Sequence, residues 1–238
     1  MTREIRDWID RHTPLPSEVF DPDTGEHVVS FQLPAPIPHD VLGPLIGDVL
    51  HNFRSALDHL AYELAVAHSG SLSDRAGSDS EFPIALKPRG DPWWEKRIGR
   101  VAPQAQAVIA DLQPYRPRNS PVHALEALYH LSNIDKHRRP TLSAFSISEF
   151  DIWPFDDSVA LDYFERGGPG LVEYGTPHVF ARFRAATKEK VEVGYHFTYD
   201  IAFAEARVLP EGARVLEVLW GISVYIRGTV LPALEPFL

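Results

Sequence analysis

The sequence predicts an α+β fold, a helical bundle with a small antiparallel β-sheet inserted before its last helix. Three observations carry this. From Asp40 to His68, the residues Val49, Phe53, Leu57, Leu60 and Leu64 recur at steps of three and four, the repeat of a packed helix. Thr141–Ala206 is rich in Phe, Tyr, Val and Ile and contains Gly167-Gly168-Pro169-Gly170, which is strand and turn composition. Gly212–Leu231 then returns to a mostly apolar helix, closed by Pro232 and expected to be buried. The expected organisation is a single domain over 1–238, with a helical core of about 40–140 and 211–238 and a strand-rich insertion of about 141–206.

In chain order, Met1–His12 reads as a short amphipathic helix with Ile5, Trp8 and Ile9 on one face, stopped by Thr13-Pro14. Asp21–Gly25 is a turn and Glu26–Leu33 a strand, followed by an extended crossing through Pro34, Pro36 and Pro38. The long helix has a plausible N-cap at Asp40 and ends at Ser69-Gly70, with Pro44 near its first turn. Ser69–Asp79 is a Ser-, Gly- and Asp-rich loop. Asp91-Pro92 opens a short helix carrying Trp93 and Trp94, and Pro103–Leu112 forms the next. Ser120-Pro121 opens a helix that should reach His137, with Pro140 ending it. His178–Ala186 and Lys190–Ala204, on either side of Thr187-Lys188-Glu189, read as an antiparallel hairpin.

The chain has no cysteine, which excludes disulfides, thiolate zinc sites and a cysteine nucleophile, and suits a cytoplasmic setting. Its N-terminus is charged and amphipathic rather than a basic and then apolar leader. No apolar run is expected to approach the roughly 18 to 20 residues that cross a bilayer, so no membrane partner is expected. A net charge of −10 disfavours broad contact with nucleic-acid phosphates. The densest basic cluster is Lys136-His137-Arg138-Arg139.

Polar chemistry concentrates in two helices. On the long helix, Asn52, Ser55 and His59 share one stripe, while Arg54 and Asp58, four apart, can touch on the next. On the later helix, Glu126, His130, Asn133 and His137 recur at steps of four, three and four, beside Asp135, Lys136 and Arg138. Both helices are apolar enough to be partly buried, and a buried charge needs a partner. Arg54 or Asp58 is therefore expected to meet the Asn133–Arg138 stretch.

Arg54, four residues and His59, together with Asn133-Ile134-Asp135-Lys136-His137-Arg138 on a second helix, resemble the HEPN superfamily of helical-bundle proteins. The resemblance covers about Asp40–His137 and leaves the strand-rich segment outside it. It implies an all-helical core, frequent homodimers and, in active members, metal-independent cleavage of RNA without a cofactor. Under it, His59 carries proton transfer, Arg54 binds the phosphate and Asp58 orients one of them. Asn52, His130, Asn133, Asp135, Lys136, His137 and Arg138 would line the binding surface. Two other readings stay open. The polar motifs can form a structural network in a non-catalytic interaction module, with Trp93-Trp94, Trp153 and Phe155 lining a pocket. Alternatively, Asp58, His59, His130, Asp135 and His137 could supply metal ligands, although no Glu-x-x-His or His-Glu-x-x-His pattern is present.

Overall fold

Residues 1–116, 122–137, 142–144, 150–156, 160–166, 172, 174–204 and 208–238 are described by the structure, a computed structural model. They form two compact units. One comprises Met1–Gly43, Thr141–Glu205 and Pro210–Val215, the other Pro44–Pro140, Ala206–Leu209 and Leu216–Leu238. The second unit holds the helices expected from the apolar repeats. The first holds the strand-rich segment and also the N-terminal residues.

In the first unit, α1 (Thr2–Arg11) buries Ile5 and Trp8. β1 (Pro16–Asp21) and β2 (Glu26–Phe31) follow, then β3 (Leu142–Ala144), β4 (Phe150–Pro154), β5 (Leu161–Arg166), β6 (His178–Ala185), β7 (Val193–Phe197) and β8 (Ile201–Phe203). The largest sheet is antiparallel in the order β1-β2-β6-β5, and β3-β8 and β4-β7 form separate pairs. The turn expected at Asp21–Gly25 is present. The Asp21 carboxylate accepts from the Asp23 N–H at 2.9 Å and from the Thr24 hydroxyl at 2.8 Å. Gly25 takes φ +70°, with the Lys188 backbone so close that a Cβ would lie 3.1 Å from its Cα. β2 alternates, burying His27, Val29 and Phe31. His27 is satisfied there by Glu18 (Nδ1 to Oε1, 2.6 Å) and stacks on Phe183 at 4.5 Å.

Two expectations are corrected in this unit. β1 lies in a segment the sequence left unassigned; it is an edge strand whose Pro16 comes first, where a missing N–H is tolerated. The hairpin between His178–Ala186 and Lys190–Ala204 does not form. Both edges of β6 are taken, by β2 and β5, so β7 pairs with β4 instead. There Gly194 sits opposite Trp153 and leaves room for the indole, only 2.6 Å from where a Cβ would stand.

The helical elements are α2 (His39–Ser69), α3 (Asp74–Asp79), α4 (Asp91–Ile98), α5 (Pro103–Asp111), α6 (Ala124–His137) and α7 (Val215–Tyr225), then a π-helical stretch Ile226–Val230 and α8 (Leu231–Leu234). All but the first turn of α2 and the first residue of α7 fall in the second unit. Leu57, Leu60 and Leu64 are buried on α2 as its repeat requires, joined by Ile46 and Leu50. Ser69–Asp79 is not all loop: the Ser73 hydroxyl accepts from the Ala76 N–H at 3.3 Å and caps α3. The Ser120-Pro121 opening, Pro140 and the Gly167–Gly170 run lie outside the described residues.

The last helix departs from expectation. It buries Leu219, Ile222, Ile226, Val230 and Leu234 but exposes Trp220 at 69%. Val215–Phe237 is also long and apolar enough, by length and composition, to cross a membrane, with less than a third of its apolar window buried. Gly, Ser and Thr between the large residues interrupt the apolar run without making the helix polar, which is why the sequence reading underestimated it.

Candidate functional site

Arg54 and Asp58 stand one turn apart on α2 and meet, as their spacing requires. Arg54 Nε lies 3.2 Å from Asp58 Oδ2, and its Nη2 lies 2.9 Å from Oδ1. The same Nη2 donates to Glu81 Oε1 and to the Phe82 carbonyl, each at 2.8 Å. Asp58 Oδ1 in turn accepts the Phe82 N–H at 2.9 Å. One Arg–Asp pair thus holds both backbone polar groups of Phe82, a residue with no exposed surface.

This geometry answers a need of the chain. Phe82, Pro83, Ile84 and Ala85 are buried, yet they belong to no helix or strand. Their N–H and C=O groups must find partners outside regular structure. Arg54 and Asp58 supply them at Phe82. Gln113, itself fully buried, does the same at Ala85: its Oε1 accepts the Ala85 N–H at 2.8 Å while its Nε2 donates to the Ile109 carbonyl at 2.9 Å.

The cluster extends outward through Glu81. Its Oε2 lies 3.3 Å from Arg97 Nε on α4, and the Arg97 guanidinium covers the Trp93 ring at 4.2 Å from its centroid. Burial pushes the Asp58 carboxyl above its ordinary range, and the negative charge of Glu81 adds to this. The Arg54 cation and the Phe82 N–H oppose the shift without cancelling it.

The other sequence-predicted residues are placed as follows. His51, Asn52 and His59 are exposed on α2, with His51 Nε2 3.4 Å from the Ser55 hydroxyl. Asp135 of α6 lies against Gly47 of α2, where an added Cβ would come within 2.5 Å of its Oδ1. His130 and Asn133 are half-buried, and the His130 ring meets Tyr129 edge-on at 5.4 Å. Lys136 and His137 stand in the last turn of α6, but their side chains, like Arg138, lie outside the described residues.

The expected contact between Arg54 or Asp58 and Asn133–Arg138 is replaced, among the described residues, by contacts with Glu81 and Phe82. The reason is one of level. α6 brings Asp135 to α2 at Gly47, two turns before Arg54, whereas the Glu81-Phe82 segment crosses at Arg54 itself. Among the described residues, no three His, Asp or Glu side chains gather closely enough to hold a metal ion.

No family model, no curated protein and no solved structure matches this chain.

Glu81, Arg97 and Gln113 were missed from the sequence. Arg97 carried a faint signal, four residues after Trp93 on a short helix. Glu81 and Gln113 carried none, because the partners that bring them to the buried segment, Arg54 and Ala85, lie more than twenty residues away.

Proposed function

We propose that the protein is a non-catalytic helical interaction module in which Arg54 and Asp58 are structural, and partners engage the exposed polar stripe of α2. The observation that carries this reading is the commitment of Arg54. Its guanidinium is shared among two carboxylates and a backbone carbonyl, so its charge is neutralised and its Nε and Nη2 donors are occupied. A phosphate would have to compete with Asp58 and Glu81 for the guanidinium. The accessible polar groups are instead His51, Asn52, Ser55 and His59, on one side of the same helix.

A second reading has a specific observation in its favour. His59 is exposed and directly follows Asp58, so the HEPN-like pattern of Arg54 and His59 sits on one helix with its histidine open to substrate. On this reading the protein is a metal-independent endoribonuclease, with RNA as substrate and a second copy supplying another histidine.

The two readings separate cleanly. A photo-crosslinking residue placed at Asn52 should capture a discrete protein partner, with capture lost in His51→Ala/His59→Ala, while purified protein leaves single-stranded RNA intact with chelator present. Cleavage that disappears in His59→Ala would replace the first reading with the second.

A further inference from the structure

The outward side of the last helix is built unlike a solvated helix face. Trp220 and Val224 are exposed at 69% and 49% one turn apart on a single stripe, and Leu231, exposed at 41%, follows beyond the π-helical stretch. Two glycines, Gly221 and Gly228, share this side, and a Cβ added at either would meet nothing within 4 Å. Glycine weakens a helix unless close approach of another group uses the missing side chain. Among the described residues, nothing uses it. The π-helical stretch Ile226–Val230 widens this part of the helix, and Arg227, Gly228 and Thr229 are all exposed on it.

The geometry points to this face as a self-association surface, on which a second copy of the chain packs antiparallel about a two-fold axis at Val224. The argument is one of complementarity. Trp220 and Gly228 each lie four residues from Val224, on opposite sides; Arg227 and Gly221 each lie three residues away. An antiparallel pairing centred on Val224 therefore lays each indole over the partner's Gly228 and each arginine over the partner's Gly221. Trp220 and Arg227 thus each meet an open space, as a self-complementary isologous interface requires. Arg227 then stands one turn from Glu217 of the other copy, a carboxylate that is already engaged within its own chain. A parallel pairing would oppose Trp220 to Trp220, Glu217 to Glu217 and glycine to glycine, leaving the holes empty.

Charge argues against a lipid surface as the occupant. Arg227 is the only basic residue from Val215 to Leu238, which also holds Glu217 and Glu235, and the protein carries −10 overall. Anionic headgroups attract clusters of Lys and Arg. The inference does not depend on how the Arg54 cluster is read.

The test is sedimentation equilibrium of the full chain across a concentration series. One helix pair covers less than the ~800 Å² per partner of a standard interface, so micromolar association is expected. Trp220→Ala and Gly228→Leu should each weaken the dimer at least tenfold without changing the monomer's far-UV circular dichroism. Arg227→Glu, which turns a negative charge toward the other copy's Glu217, should weaken it as well. A chain that stays monomeric at the highest soluble concentration overturns the proposal. So does a dimer indifferent to Trp220→Ala and Gly228→Leu, since its interface is then elsewhere. Binding of a monomeric wild-type chain to phosphatidylglycerol vesicles, lost in Trp220→Ala, would overturn it in favour of a membrane.

Discussion

At the scale of single residues, Arg54 and Asp58 exchange the expected partner for another and keep the expected pairing with each other. Their mutual contact was legible because a helix fixes what stands four residues away. Their contact with Phe82 was not, because an irregular segment carries no period that says where it returns. Truncating Arg54 strands the Phe82 carbonyl and leaves Asp58 without its cation beside Glu81, which keeps only Arg97. Arg54→Ala should therefore cost about 2 to 3 kcal/mol in denaturant unfolding, more than an exposed pair would. His59→Ala, at an exposed position, should change stability by less than about 0.5 kcal/mol. Equal stability of the two variants would remove the structural role of Arg54. Asp58 adds a pH signature. Its folded carboxyl titrates above its unfolded value, so the folded state binds the proton more tightly and its stability contribution is largest at low pH. That contribution falls as pH rises from the ordinary carboxylate range through the raised folded value. Set against Asp58→Asn, which does not titrate, wild type should thus gain relative stability on acidification through that window. A gap that narrows on acidification would contradict the assigned direction.

At the scale of elements, most helices could be placed from caps, prolines and apolar repeats, whereas strand partners could not. Asp91-Pro92 and Pro103 mark helix starts within their own few residues, and α4 and α5 begin there. β6 shows the other case. Its composition announced a strand and the turn after it is real, with the Lys188 N–H on the Ala185 carbonyl at 2.9 Å. Which strands flank it was decided by residues as distant as Glu26–Phe31, and no local feature encodes that choice. α1 combines both situations. Its apolar face was readable from Ile5 and Trp8, but the group that ties down its C-terminal end is Tyr199, whose hydroxyl lies 2.9 Å from the carbonyl oxygens of both Ile9 and His12. Burial, chiefly, pushes this phenol up to about 12. Tyr199→Phe should cost about 1 kcal/mol through the lost hydrogen bond. Because the folded value is raised, the stability tied to the phenol's proton is complete below its unfolded value and disappears as pH rises through about 12. Ultraviolet titration should show a tyrosine ionising step near pH 12 that is missing in Tyr199→Phe.

At the scale of the whole molecule, the change in composition near Thr141 marked the strand-rich segment, while the N-terminal strands joined it through pairings that span most of the chain. The two functional readings also part at this scale, since one asks Arg54 to hold the helical unit together and the other asks it to leave that role during turnover. RNA cleavage by the neighbouring 2′-hydroxyl needs a base for that proton and a cation for the phosphorane. His59 is open to serve as base; Arg54 is not open to serve as cation, because Asp58 and Glu81 already share it. If the chain is a ribonuclease, cleavage should proceed in chelator and leave a cyclic phosphate. His59→Ala should then slow it on the order of 10²-fold or more at unchanged stability, and Arg54→Ala should raise the barrier by about 3 to 4 kcal/mol. Glu81→Gln then becomes the deciding variant. It removes one of the two carboxylates that compete with phosphate for Arg54, so a working active site should gain activity from it while losing some stability. In a structural cluster the same change should lower stability and produce no cleavage at all. The expected outcome is the second: a modest fall in the unfolding midpoint for Glu81→Gln and intact RNA in every variant. Faster cleavage in Glu81→Gln, abolished again by His59→Ala, would establish that Arg54 binds phosphate and would reverse the assignment.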